Sequence, residues 1–200
     1  MERIVITGGI ASGKSTVTRY LRERGEVVLD ADAIYHRMIG QMSPLTTALS
    51  DAFGTEVLAT GGGVDRRVLS ARVVSDPDAL KKLEDITHPA IFEALAAEAE
   101  AWERRGLERL FLDLPLYFET IYHAPPLHVD AVWVVSVSFD TQLSRLMARE
   151  AMSEAEARAR IALQMPLVEK ARRADVVIRN DGTEAELIGQ LNTLLQGEGQ

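Results

Sequence analysis

Apolar and β-branched residues fall into short runs at positions 4–7, 27–29, 110–112, 131–135 and 176–178. Each run has the length and composition of a strand. Val132, Trp133, Val134 and Val135 are apolar at consecutive positions, the pattern of a strand covered on both faces. Stretches of helical period separate the runs. The first, at 16–24, puts Val17, Tyr20 and Leu21 on one side. Strand alternating with helix predicts an α/β fold with a parallel sheet.

Helix starts carry their own signals. Asp76-Pro77 reads as a cap followed by a proline in the first turn. Ser153 with Glu156 and Thr183 with Glu186 have capping-box spacing, predicting helices over 154–165 and 184–195, with a fraying tail from 196. The stretch 34–105 contains no convincing strand. It reads as helical, with segments at 33–39, 80–86 and 89–104, and is broken by Gly54 and by Gly61-Gly62-Gly63. Thr87-His88-Pro89 would then set a histidine just before a proline-started helix. The expected organisation is one domain: a core of 1–33, 106–139 and 166–200, a mostly helical substrate-binding insertion over about 34–105, and a lid over about 140–165.

Composition narrows the class. The chain has 200 residues, enough for a core without covalent staples. It has no cysteine, so disulfides, thiolate nucleophiles and cysteine-based zinc sites are excluded. A formal net charge of -8 argues against a general nucleic-acid binder. No apolar run is long enough to span a membrane, and position 1 leads directly into a strand without a leader pattern. A cytoplasmic protein, expected as a monomer, fits these features.

The chemistry begins at Gly8-Gly9-Ile10-Ala11-Ser12-Gly13-Lys14-Ser15, followed by Thr16, a match to the phosphate-binding pattern G-x-x-x-x-G-K-S/T. It lies between a predicted strand and a predicted helix, as its mechanism needs. Glycines let backbone N–H groups close around phosphate oxygens. The helix N-terminus adds unpaired donors and partial positive charge. Gly9 to Thr16 are thus the expected phosphate-binding set, with Lys14 reaching the β- and γ-phosphates and the Ser15 hydroxyl on Mg²⁺.

Other candidates follow strand ends or share helix faces. Asp30 and Asp32 follow the second strand run. Either can cap the next helix, and Asp32 can instead accept a proton from an attacking hydroxyl. Asp113 follows the third run, where an acid can support Mg²⁺. In Leu116-Tyr117-Phe118-Glu119, at least two of the apolar residues are expected in the core, and Glu119 either orients substrate or is solvated. Arg145 and Arg149 lie one helical turn apart on one face, suited to a polyphosphate, although Glu150 can pair with them. Arg66 or Arg67 can meet an anionic substrate. His36, His123 and His128 read as structural or surface residues, and the histidine spacing does not suggest zinc.

Taken in order, these residues resemble the dephospho-coenzyme A kinase family over nearly the whole chain. The match runs from Thr7 through Ser15 and Asp30-Ala31-Asp32 to Val64-Asp65-Arg66 with Leu69. It continues with Thr87-His88-Pro89 and Pro115-Leu116-Tyr117-Phe118-Glu119. It ends with Gln142, Arg145, Arg149, Arg160-Ile161, Gln164, Ala174-Asp175 and Asn180. The resemblance implies a P-loop nucleotide-kinase fold: a parallel five-stranded sheet of order 2-3-1-4-5 with helices on both faces, a helical CoA-binding insertion and a helical lid. It implies ATP-dependent phosphorylation of the 3′-hydroxyl on the ribose of dephospho-CoA, with ATP and dephospho-CoA as small-molecule partners and Mg²⁺ as cofactor. It further implies Asp32 as base, His88 as a contact to dephospho-CoA, Arg145 as the lid arginine, and Asn180 near the adenine. Arg149-Glu150, the short segment up to Ser153, the Gly61 run and Tyr117 depart from the usual pattern. Two other readings share the loop: another small-molecule kinase, for nucleosides or nucleoside monophosphates, and a nucleotide-dependent switch. The chain lacks the Asn-Lys-x-Asp segment a GTPase switch would use.

Overall fold

The computed structural model describes residues 1–120 and 127–197. Its strands are β1 (Glu2–Gly8), β2 (Val28–Asp30), β3 (Arg109–Asp113), β4 (Ala131–Ser136) and β5 (Val176–Arg179). They form one sheet of order β2-β3-β1-β4-β5. β1 pairs in parallel with both β3 and β4, so that Val5 stands opposite Leu112 on one side and Val132 on the other. β4 pairs in parallel with β5. The strand order is the one the resemblance implied. The helices are α1 (Lys14–Glu23), α2 (Ala31–Ile39), α3 (Pro44–Phe53), α4 (Arg66–Val73), α5 (Pro77–Glu103), α6 (Tyr117–Thr120), α7 (Phe139–Glu150), α8 (Glu154–Ala162), α9 (Leu167–Arg172) and α10 (Glu184–Gly197).

By backbone contacts the described residues form two compact units: the sheet unit, residues 1–28, 106–120 and 128–197, and a helical unit, residues 29–105 and 127. In the sheet unit, Ile4, Ile6, Phe111, Trp133, Val135 and Ile178 face Val17 and Leu21 of α1 and Leu187 and Leu191 of α10. Val5, Val132 and Val134, which point to the opposite face, are buried as well. The sheet is therefore covered on both sides, as the unbroken apolar runs predict. Trp133 meets the Phe111 ring edge-on, centroids 5.5 Å apart.

The helical unit is built around α5, against which α2, α3 and α4 pack. Ile39, Leu45, Leu49, Phe53, Val57, Leu69 and Val73 form its core, closed by Ala79, Leu83, Ile86 and Ala90 of α5. The glycine run turns the chain tightly here: Leu58 bridges Val64, and the Ala59 N–H donates to the Gly63 carbonyl at 2.8 Å. A Cβ on Gly63 would lie 2.7 Å from the Gly40 carbonyl carbon, so only glycine fits that approach.

Three expectations about helices need correction. The segments 80–86 and 89–104 are one helix, with Pro89 inside it and His88 in mid-helix. An interior proline costs about 3 kcal/mol, but a half-buried stripe, Ala79, Leu83, Ile86 and Ala90, packs against the core on both sides of it, and tertiary packing outweighs the local penalty. The helix expected over 154–165 stops at Ala162, and Pro166 N-caps a separate helix, α9. A residue before proline disfavours the helical region, and tertiary hydrogen bonds claim Gln164 and Met165. Finally, α2 begins at Ala31 because Asp30 caps it, accepting the Ala33 N–H at 3.0 Å. The Ser43 capping box and the Asp65 cap also start helices α3 and α4, within the stretch whose segments the helical period alone does not delimit.

Candidate active site

The phosphate-binding pattern forms the turn between β1 and α1. The Ser12 N–H donates to the Gly9 carbonyl at 3.1 Å, closing the loop. Gly13 has φ +90, and a Cβ there would fall 2.0 Å from Asn180 Nδ2, so the position admits only glycine. Ala11 also takes a left-handed conformation, φ 59, the kind of backbone strain that surrounding contacts must hold in place.

Those contacts come from four places in the sheet unit. Lys170 of α9 donates to the Gly8 carbonyl at 3.2 Å. Gln164, after α8, accepts the Ile10 N–H at 2.8 Å, and Gln142 of α7 donates to the Ile10 carbonyl at 2.8 Å. Asn180, after β5, donates to the Ser12 carbonyl at 2.9 Å. Carbonyls 8, 10 and 12 are thus all held from outside the loop. Ile10, expected among the phosphate ligands, has both its backbone groups engaged in this bracing. Lys14 and Ser15 open α1, where the first N–H groups have no intrahelical acceptor and carry the positive end of the helix dipole. The Lys14 ammonium pairs with the nearly buried Asp113 carboxylate at the end of β3.

Arg145 of α7 donates to the Asn180 carbonyl at 3.0 Å. Together with Gly13, Thr16, Asn180, Gly182 and Leu187 it lines a cavity of about 280 Å³ beside the loop. Arg149 is engaged elsewhere: it pairs with Glu150 at 3.0 Å, and Glu150 also pairs with Arg160 at 3.4 Å. Glu119, expected at the substrate or in solvent, lies 2.8 Å from Lys170 and accepts the Met165 N–H at 3.0 Å through the same oxygen. Tyr117 and Phe118 are buried and Leu116 is exposed, as expected of that segment. Burial raises the Tyr117 phenol above its ordinary value, and Asp175 adds to the shift.

In the helical unit, Asp30 does the capping and leaves Asp32 exposed in the first turn of α2. Arg66, exposed, opens α4 beside its cap Asp65. Burial pushes the Tyr35 phenol up while the Arg66 guanidinium pulls it down, which puts these two side chains in one neighbourhood. His88 is half-buried on α5. His36 is exposed, and His128 sits 3.0 Å from Asp130; His123 lies outside the described residues. Among the described residues, no three His, Asp or Glu side chains gather to hold a metal, and no helix is long and apolar enough to cross a membrane.

Three bracing residues had no role assigned from the sequence. Gln142 and Gln164 belong to the family pattern but say nothing locally about their partners. Lys170 had a weak signal: it stands one helical turn after the buried Leu167, a lysine on the apolar side of a short helix.

A phosphate loop joining the central strand of this parallel sheet to a helix, with its lysine paired to the acid at the end of β3, defines a P-loop nucleotide-binding protein. The family model for dephospho-CoA kinase, CoaE, matches residues 3–186. The dephospho-CoA kinase of Geobacillus kaustophilus is 45% identical over 193 residues, 96% of this chain and 94% of that one. A crystal structure from Thermus thermophilus, 35% identical, superposes with a TM-score of 0.77 over 98% of this chain and 97% of that one. Dephospho-CoA kinase from Campylobacter jejuni, 25% identical, superposes with a TM-score of 0.71 over 99% and 100%. The chain belongs to the dephospho-CoA kinase family. Neither the nucleoside-kinase reading nor the nucleotide-switch reading is favoured by this match.

Proposed function

We propose that this protein transfers the γ-phosphoryl group of ATP to the 3′-hydroxyl on the ribose of dephospho-CoA, giving coenzyme A and ADP, the final step of coenzyme A formation. The observation that carries this reading is the braced loop itself, with Lys14 at its mouth, in a chain of this family. The ribose oxygen attacks phosphorus, the bond from phosphorus to the β-phosphate oxygen breaks, and ADP leaves. Asp32 orients the hydroxyl and takes its proton, a role supported by its exposure once Asp30 has taken over the capping. Lys14 and the first N–H groups of α1 neutralise the β- and γ-phosphates, and Arg145 steadies charge on the moving group. The cavity beside Gly13, Arg145 and Asn180 takes the adenosine end of ATP.

The residues present suit Mg²⁺. Ser15 follows Lys14 in sequence and the Asp113 carboxylate pairs with its ammonium, and both side chains offer oxygen ligands. Two protein oxygens are the usual share for an ion that takes its other ligands from phosphate and water. When bound, the ion supplies charge neutralisation at the phosphates. The helical unit serves as the acceptor-binding insertion, with Arg66 and His88 as contacts to the anionic substrate. The segment α7–α8 serves as the lid, with Arg149 on it. The protein works in the cytoplasm as a monomer.

An acceptor panel tests the reading. Purified protein with ATP and magnesium should release ADP with dephospho-CoA and not with AMP, CMP or uridine, and mass spectrometry should find coenzyme A as product. Release driven equally by a nucleoside or nucleoside monophosphate would transfer the chain to another kinase class. Slow hydrolysis indifferent to every acceptor would make it a switch.

A further inference from the structure

Lys170 is fully buried, although an ammonium is among the most expensive groups to take out of water. Burial lowers its pKa, and the pairing with Glu119 works against that shift. An apolar side chain of similar length would fill the space at less cost, so the charge and its donors need a use. The ammonium has three N–H donors and meets three acceptors: Glu119 at 2.8 Å, the Gly8 carbonyl at 3.2 Å and the Pro115 carbonyl at 3.3 Å. These acceptors come from separate places. Gly8 is the last residue of β1, where the phosphate loop begins. Pro115 follows β3 two residues after Asp113, the partner of Lys14, and its carbonyl also takes the Thr7 hydroxyl at 3.1 Å. Glu119 in turn fixes the Met165 N–H, next to Gln164, which holds Ile10 inside the loop.

We propose that Lys170, with Glu119 as its counter-charge, is a positioning residue for ATP: it anchors the entry of the phosphate loop and the Asp113 segment to the stretch that follows α8. The proposal rests on the assignment of the loop as the ATP site. Lys170 touches no substrate. It acts through the Gly8 and Pro115 carbonyls, by keeping the N–H groups and Lys14 where the phosphates need them. A displacement of about 1 Å at such a point is enough to cost on the order of 100-fold in rate.

The test compares the parent with Lys170→Met, Lys170→Arg and Glu119→Gln. ATP affinity is measured by calorimetry with magnesium and no acceptor, and steady-state kinetics are run well below each variant's melting temperature. Lys170→Met should weaken ATP binding and kcat/KM for ATP about 10- to 100-fold, with KM for dephospho-CoA unmoved. Lys170→Arg, which keeps charge and donors, should recover a large part of the loss. Glu119→Gln keeps the size of the side chain and removes its charge; it should raise KM for ATP several-fold and spare KM for dephospho-CoA. If Lys170→Met yields no folded protein, Glu119→Gln and Lys170→Arg decide by the same ratio. Three results overturn the proposal: lowered melting temperatures with parental ATP affinity, Arg and Met variants impaired alike, or a Glu119→Gln effect confined to dephospho-CoA, which would make Glu119 a substrate contact. A parent that binds ATP yet leaves dephospho-CoA unchanged defeats the acceptor assignment, while the Lys170 comparison still reads on ATP binding.

Discussion

The phosphate loop and the helical unit solve opposite problems. The loop is short, strained at Ala11, and held by side chains far away in sequence: Gln142, Gln164, Lys170 and Asn180 all bond to backbone between Gly8 and Ser12. The helical unit is held by an ordinary apolar core around α5, and two of the residues proposed to act from it, Asp32 and Arg66, stand exposed at helix starts. Triphosphate recognition needs donors fixed before the ligand arrives, because geometry is the catalytic contribution. A helix start supplies a carboxylate or guanidinium with little further support. The fixed part of this protein depends on non-local hydrogen bonds, whereas Asp32 and Arg66 stand in the first turns of helices capped locally by Asp30 and Asp65.

Removing one charge from the loop and one from the helical unit should separate their roles most clearly. Asp32→Asn should bind ATP as the parent does and lose turnover by about 10²–10⁴, the usual worth of a general base. Lys14→Ala should lose both nucleotide affinity and turnover, the latter by about 10²–10³. Calorimetry with ATP alone, set beside turnover with dephospho-CoA, separates the two. An Asp32→Asn protein with near-parental turnover removes Asp32 from the chemistry.

A core truncation sharpens the contrast in stability. Leu49 is fully buried in the helical unit. Leu49→Ala should destabilise that unit by about 2–5 kcal/mol, seen as lost hydrogen-exchange protection in α3 and α5, with ATP affinity retained. An equal loss of protection around β1 would show that the loop depends on the helical core.

The smallest expected effect is electrostatic and belongs to the sheet unit. The Arg3 backbone N–H, donating at 2.8 Å, holds the Asp130 carboxyl below its usual value, with His128 adding to the effect. A carboxylate with a depressed folded pKa stabilises above its unfolded value, about 3.9, and that contribution is lost as pH falls through the folded value. Asp130→Asn should therefore melt slightly below the parent near neutrality, and the gap should close in acid. A gap that widens below pH 4 would contradict the assignment.

Much of the fold was legible in the one-dimensional pattern because its causes are local. Strand runs, the glycine loop, the cap at Asp76 and the boxes at Ser153 and Thr183 each depend on residues within a few positions of one another, and each is present in the structure. The segment around Pro89 shows where locality fails. Local rules start a helix at that proline, yet a stripe from Ala79 to Ala90 packed on α3 and α4 carries one helix through it. The choice between Asp30 and Asp32 as cap was likewise open until the backbone geometry assigned it to Asp30.

Neighbouring residues are enough to specify that a phosphate loop joins an apolar strand to a helix, that strands and helices alternate around it, and that a helical stretch interrupts them. Which side chains brace the loop, where α8 ends, and the meeting of Glu119 with Lys170 are set by long-range packing. The reason is physical: a local pattern records the preferences of neighbouring residues. The partners of Gly8, Ile10 and Ser12 lie more than a hundred positions away, and only packing brings them within hydrogen-bond distance.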